Sequence, residues 1–144
     1  MYSNTALLNK VLTQPTPPKL ADPEQEEDRY IKTLEVEAYK IRKHPELYIE
    51  EITKYKEDFV IAFNLAKESP LQKNKKVAEL AIFLSRVASS FKTDLLFLDT
   101  YIQEFLTHYA NQMNPFLRKK FVGAHMILRS QNLISAFNSI QFLF

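Results

Sequence analysis

The chain has 144 residues, about the length of one domain, with a formal net charge of +2 and no cysteine. The lack of cysteine excludes disulfides, thiolate metal ligands and cysteine nucleophiles. Gly123 is the single glycine, where average usage is about 7% of residues. Glycine-rich phosphate loops and nucleophile elbows are therefore excluded, and the composition favours a helical protein without catalytic activity.

The first part of the chain is acidic and proline-bearing. The stretch from Asp22 to Glu37 contains seven acids and two bases, a local charge of −5. Such a segment has little to bury, so we predict a mobile tail over residues 1–29 and a helical domain over residues 30–144. No apolar run approaches the roughly 20 residues that cross a bilayer, so no membrane association is predicted.

Three helices are predicted in the first two thirds of the domain. The first covers residues 30–42 and ends before His44-Pro45, because a residue that precedes proline is pushed out of the α region. The second has Pro45 in its first turn and ends before Ser69-Pro70. The third has the clearest apolar stripe, with steps of three or four residues. Its members are Val77, Leu80, Ala81, Leu84, Val87 and Ala88.

Three more helices are predicted after the third. Thr93 or Asp94 is expected to cap the fourth, and Asn114-Pro115 combines a cap with a first-turn proline for the fifth. Ser135 opens the sixth. The chain ends on apolar residues without a polar cap, and we therefore expect it to be the front of a longer protein.

A spacing of 40 residues relates the third and fifth helices. Ala81, Leu84 and Ala88 fall on Phe121, Ala124 and Leu128 when the sequence is shifted by 40. HEAT and armadillo repeats have periods of about 40 to 47 residues. We therefore predict an all-α, armadillo/HEAT-like α-solenoid of five to six antiparallel helices. Gly123 would allow a neighbouring helix to approach closely.

Few residues suggest chemistry. His44, His108 and His125 are too far apart for the usual metal spacing and are interpreted as structural. No catalytic, cofactor or metal site is predicted. The remaining candidates are basic residues that could contact RNA or a protein partner. They are Lys73, Lys75, Lys76, Arg118, Lys119, Lys120 and Arg129.

Charge alone leaves the partner open. After Glu104 the chain has no acid, and its four bases give a local charge of +4. This polarity fits nucleic acid or an acidic partner, and it also fits an ordinary solvated surface. Arg129 is predicted near the end of its helix, where a cation also stabilises the helix dipole.

Several stretches together resemble a known family. They are residues 39–51 (YKIRKHPELYIEE), 77–84 (VAELAIFL), 114–121 (NPFLRKKF) and 127–134 (ILRSQNLI). In order and spacing, residues 34–144 resemble the N-terminal helical domain of the severe-depolymerisation-of-actin (SDA) family. The family's usual Leu-Pro entry segment is replaced here by LEVEA at residues 34–38.

The resemblance implies a function beyond what spacing shows. Members of this family are nucleolar scaffolds of large (60S) ribosomal subunit assembly and not enzymes. It implies contact with proteins of the pre-60S particle, with ribosomal RNA as a further option, and with the midasin-type AAA ATPase machinery. It also implies a role in nuclear export of the particle, a nuclear and nucleolar location, and packing on the C-terminal remainder of the same protein.

One alternative remains open at this stage. An α-solenoid adaptor in trafficking or cytoskeletal organisation would show the same helices, with its basic face on an acidic peptide instead of RNA.

Overall fold

The computed structural model describes residues 22–131, which form five α-helices and contain no β-strand. The helices are α1 (Pro23–Lys43), α2 (Ile49–Glu68), α3 (Lys75–Val87), α4 (Phe97–Tyr109) and α5 (Pro115–Ser130). Two short 3-10 turns cover Pro45–Leu47 and Ala88–Ser90. The all-α prediction is confirmed. The sixth helix predicted from Ser135 lies outside the described residues.

The chain divides into two units, Met1–Tyr30 and Ile31–Phe144. Residues 22–30 are the described part of the first unit, and they form the start of α1. The remainder of α1 and helices α2 to α5 belong to the second unit, which contains the repeats and the candidate site.

The start of α1 corrects the sequence prediction, because the helix begins at Pro23 and not at residue 30. A carboxylate oxygen of Asp22 accepts a hydrogen bond from the backbone N–H of Glu24 at 3.4 Å. Pro23 suits a first turn, and Glu24 and Glu26 lie at the positive end of the helix dipole. Acids that suggested a tail therefore stabilise a helix start. The rest of the predicted tail, residues 1–21, lies outside the described residues.

The start of α2 is also later than predicted. His44 has the non-helical φ of −139° expected before proline, and Pro45 opens a separate 3-10 turn. Tyr48, with φ −122° and ψ 21°, then interrupts the helical path, so α2 begins at Ile49. Its predicted end is confirmed, since the helix stops at Glu68.

Neither Thr93 nor Asp94 caps α4, which corrects a third boundary. Both lie within a turn at residues 92–96, and the residue before the helix, Leu96, makes no side-chain cap hydrogen bond. Phe91, just before this turn, and Leu95, within it, are both buried. Burial of these apolar side chains fixes the path of the chain and outweighs the local capping preference.

The predicted start of α5 is confirmed. The side-chain oxygen of Asn114 accepts a hydrogen bond of 2.9 Å from the N–H of Phe116, and Pro115 occupies the first turn. A cap of this kind contributes about 1 kcal/mol to helix stability. It also fixes where Phe116 emerges from the backbone.

Helices α2 and α4 lie side by side and run parallel. Near the start of α4 the rings of Phe59 and Phe97 meet at a centroid distance of 6.1 Å. At the other end the Tyr109 hydroxyl donates to the carbonyl of Lys67 at 3.4 Å, a pair 42 residues apart. The contact partners advance along α2 and α4 in the same direction. The two helices therefore occupy equivalent positions in successive repeats.

Helices α3 and α5 have the same relationship. Lys120 pairs with Glu79 at 3.1 Å, and the side-chain amide of Gln131 donates to the carbonyl of Arg86 at 3.4 Å, 45 residues earlier. All six residues related by the 40-residue shift are buried. The chain thus stacks two helical hairpins, α2–α3 and α4–α5, as in an α-solenoid, and the predicted fold is confirmed.

Phenylalanine rings from both repeats fill the core. Phe63 of α2 lies 5.4 Å from Phe105 of α4 and 6.5 Å from Phe121 of α5, measured between ring centroids. The three side chains are almost completely buried. Truncation of a buried phenylalanine to alanine costs about 3 to 5 kcal/mol, so this cluster is a major part of the contact between repeats.

The predicted close approach at Gly123 is not required by the structure. A methyl group placed on Gly123 would meet the Ile82 Cδ1 atom of α3 at 3.4 Å, an ordinary van der Waals distance. The nearest atom is also the end of a flexible side chain. Space for a side chain therefore exists at this point of the α3–α5 contact.

Candidate partner-binding surface

The parallel alignment of α3 and α5 brings the two basic clusters of the sequence together. The Lys73 ammonium group lies 5.9 Å from the ring centroid of Phe116, and that of Lys120 lies 5.6 Å from it. Lys73 precedes α3 and Lys120 is on α5, so the cations come from different repeats. One aromatic ring therefore joins two clusters that are separated by more than 40 residues in the sequence.

We call this region the Phe116 surface. Lys119 and Lys120 lie three and four residues after Phe116, which places them beside it on a helix. Lys76 lies one turn before Glu79 on the neighbouring helix. The Phe116 surface is defined by Lys73, Lys75, Lys76, Phe116, Lys119 and Lys120.

Both the positive ends of two helix dipoles and the lysine side chains make the Phe116 surface electropositive. The first turns of α3 and α5 contain no acid, although acids are the residues that this end of a helix favours. An ion pair joins Lys120 to Glu79 at 3.1 Å, with both side chains partly exposed. An exposed pair contributes about 1 kcal/mol at most. The pair lies across the α3–α5 contact, whose register is set mainly by buried apolar side chains.

Loop contacts keep the surface in place. The backbone N–H of Asn114 donates to the carbonyl of Pro70 at 2.9 Å, and its side-chain amide donates to the carbonyl of Leu71 at 3.1 Å. Asn74 adopts the left-handed region with φ 49°, and its amide donates to the carbonyls of Ser69 and Gln72. The loops before α3 and α5 are therefore tied together on the side from which Lys73 and Phe116 emerge.

The other two basic candidates have separate positions. The guanidinium of Arg118 donates a hydrogen bond to the carbonyl of Ala110, which follows the last turn of α4. Carbonyls at a helix end lack partners within the helix, so this contact stabilises the α4 terminus. Arg129 lies in the last turn of α5, about 20 Å along the helix from Phe116. Neither arginine belongs to the Phe116 surface.

The pattern of the sequence did not reveal the most buried polar contact. His125, interpreted from the sequence as structural, is completely buried on α5, and its Nδ1 lies 2.8 Å from the Oδ1 of Asp99 on α4. The amide of Gln103 donates to the other carboxylate oxygen at 2.5 Å. The absence of solvent contact at the imidazole favours a structural link between the two helices over acid–base chemistry.

The other histidines lie at the surface. The Nδ1 atom of His44 is 3.7 Å from a carboxylate oxygen of Glu46 at the α1 boundary, and the ring of His108 packs on Tyr109. Within residues 22–131, no group of three or more His, Asp or Glu side chains is arranged to hold a metal ion. No helix in that same range is long and apolar enough to cross a membrane.

A cleft of about 360 Å³ separates α1 from α3 in the second unit. Its walls combine apolar and charged side chains, among them Leu34, Phe83, Glu79 and Arg86. It contains no histidine and no hydroxyl nucleophile among its lining residues. The Phe116 surface is therefore the candidate site with the more distinctive chemistry.

Comparison with known proteins bears on the family. A family model described as SDA1, HEAT repeat matches residues 83–144, which begin inside α3 and include α4 and α5. The chain is also 25% identical over 104 residues to the Protein SDA1 homolog of Drosophila melanogaster. Together these matches show that the chain is similar to the SDA1 HEAT-repeat family. The resemblance inferred from the sequence is confirmed.

The extent of the SDA1 matches can be placed on the structure. The alignment with the Drosophila melanogaster relative covers 72% of this chain and 15% of that protein, so the chain spans a small part of its relative. Phe116, Lys119 and Lys120 fall within the SDA1 HEAT-repeat match, whereas Lys73 and Lys76 precede it. The Phe116 surface is thus built partly from the matched repeat and partly from the hairpin before it.

Proposed function

We propose that the chain is part of a non-catalytic scaffold in large (60S) ribosomal subunit biogenesis and in nuclear export of the pre-60S particle. The observation that carries this proposal is the similarity to the SDA1 HEAT-repeat family over residues 83–144, which include the second of the two stacked hairpins. Repeats of this type present extended surfaces to partners.

The distribution of polar residues supports a scaffold. The buried His125–Asp99 pair is enclosed within the α4–α5 hairpin, where a substrate would have to displace the core to reach it. The basic residues, in contrast, lie on the surface and converge on Phe116. This arrangement fits recognition of a charged partner better than bond-making chemistry.

The proposal extends to partners and location. Proteins of the pre-60S particle, ribosomal RNA and the midasin-type AAA ATPase machinery are the proposed partners, and the remainder of a longer protein is proposed to continue the repeat array. The proposed location is the nucleus, and within it the nucleolus.

A second candidate function is an α-solenoid adaptor in trafficking or cytoskeletal organisation. Large apolar side chains are exposed on α1 and α2, which favours a protein partner at that end of the second unit. They are Val36, Tyr39, Ile49, Ile61 and Leu65.

Affinity purification of the full-length tagged protein from its own cells tests the proposal. Enrichment of large-subunit precursor RNA and pre-60S proteins over an untagged control is the expected result. Enrichment of trafficking or cytoskeletal proteins without precursor RNA would instead support the adaptor.

A further inference from the structure

We propose that the Phe116 surface binds single-stranded RNA, with its lysines on successive phosphates and the Phe116 ring against a base. This inference rests on the proposed function and specifies the partner at the candidate surface. The juxtaposition that carries it is one partly exposed aromatic ring with lysine ammonium groups from two different repeats beside it.

The charge of Lys73 and Lys119 remains available to a ligand. A cation–π contact attracts an ammonium group to a neutral ring, so it positions Lys73 and Lys120 without cancelling their charge. Glu79 offsets part of the charge at Lys120. Lys73 and Lys119 are exposed, and the first turns of both helices lack acids. Concentrated positive charge of this kind attracts a polyanion and releases its counterions.

The aromatic ring favours RNA over an acidic peptide. Proteins that bind single strands combine a basic groove with aromatic side chains on which bases stack, and each stacked base contributes about 1 to 3 kcal/mol. An acidic peptide would match the lysines and leave the ring unused. Single strands are also the RNA form whose bases can reach an aromatic side chain.

The surface is held in position before any ligand arrives. Asn114 caps α5 at Phe116 and also links the loop that precedes it to the carbonyls of Pro70 and Leu71. Buried apolar side chains, among them Leu84 and Phe121, fix α3 against α5, and the Glu79–Lys120 pair lies across that contact. Ordering of the protein therefore contributes little to the cost of binding, in agreement with a site formed in advance.

Fluorescence anisotropy with the purified chain tests the inference. The probe is a labelled single-stranded RNA of mixed sequence and about 20 nucleotides, long enough to cover one binding module. At about 0.1 M salt, the double variant Lys73→Gln/Lys119→Gln should bind about 25-fold more weakly, and its salt slope should fall by about 1.4. Lys54→Gln/Lys92→Gln, which removes two other exposed lysines, is the matched control and should bind like the parent.

Phe116→Leu separates stacking from charge. This change keeps an apolar side chain and removes the ring, so RNA binding should weaken about 5-fold or more while the salt slope stays the same. Urea unfolding of each variant establishes that the helices remain folded. Equal binding by the parent and Phe116→Leu would overturn the role of the ring.

Two outcomes would overturn the RNA assignment. One is the absence of RNA binding by the parent chain at about 0.1 M salt. The other is equal or tighter binding of a polyglutamate peptide of the same charge, which would assign the surface to an acidic protein. Either result leaves the proposed function to be judged by the affinity purification, in which full-length protein with Lys73→Gln/Lys119→Gln can still enrich precursor particles.

Discussion

The Nδ1 atom of His125 lies 2.8 Å from the Oδ1 atom of Asp99, across the contact between α4 and α5. The imidazole has no exposed surface and the carboxylate has little. A polar pair enclosed in a core is costly to break, because the group that remains loses a hydrogen bond that water cannot readily replace there.

The first prediction concerns this pair. Asp99→Ala removes the partner of a buried imidazole and should lower the free energy of unfolding by about 2 to 3 kcal/mol, measured by urea denaturation. Asp99→Asn keeps an oxygen acceptor and should cost less. Asp94→Ala, in the exposed turn before α4, is the control. A loss below about 0.5 kcal/mol for Asp99→Ala would show that the pair is not a structural link.

Asn114 provides the second prediction. Asn114→Ala removes the cap on Phe116 and the amide contact to Leu71, so the free energy of unfolding should fall by about 1 to 2 kcal/mol. Asn114→Asp keeps the accepting oxygen and loses the donor, so its effect should lie between parent and alanine. Thermal and urea unfolding check both values. If alanine and aspartate were equally destabilising, the cap would contribute nothing.

Gly123→Ala is expected to stabilise the chain. Alanine is favoured over glycine inside a helix by about 1 kcal/mol, and the added methyl would contact Ile82 at an ordinary distance. The midpoint of urea unfolding should rise without a change in slope. A lower midpoint would mean that α3 needs the space beside Gly123 after all.

Tyr55 leads to a prediction about alkaline pH. Burial, and then the charges of Glu37, Asp58 and Glu51, raise the pKa of the Tyr55 hydroxyl above its usual value of 10.0. The folded state therefore disfavours the ionised phenolate. The stability that Tyr55 contributes is fully present below about pH 10 and is lost as the pH rises through the raised folded pKa.

The test of this prediction compares variants across pH. Tyr55→Phe should make the loss of unfolding free energy between about pH 9 and pH 11 smaller than in the parent. Tyr39→Phe, at an exposed position of α1, controls for removal of a hydroxyl. An identical alkaline loss in the parent and in Tyr55→Phe would contradict the prediction.

Local patterns were sufficient for the centre of the fold. The stripe from Val77 to Val87 repeats every three or four residues and is buried throughout, because α3 packs against three other helices. The cap at Asn114 needs no more than its own side chain and the following turn. Such features depend on residues that are close together in the sequence, so they can be read from one sequence alone.

Features that depend on distant residues were harder to predict. The start of α4 is set by burial of Phe91 and Leu95, which no capping rule contains. Asp99 and His125 lie 26 residues apart and become partners only through the α4–α5 contact. The Phe116 surface also depends on the contact between distant residues. The 40-residue shift predicted that α3 and α5 occupy equivalent positions, but it did not show which side chains near the starts of these helices would meet.

The register between α3 and α5 also determines where the chain can change length. Removing one residue before Glu79 within α3, or one between Phe116 and Lys120 in α5, would turn the side chains on one side of the deletion by about 100° relative to those on the other and separate Lys120 from Glu79. The turn at residues 92–96 lies at the opposite end of α3 from Lys73, and its exposed positions carry no part of that register. Homologous chains are therefore expected to accommodate insertions there while keeping the helices that follow constant in length.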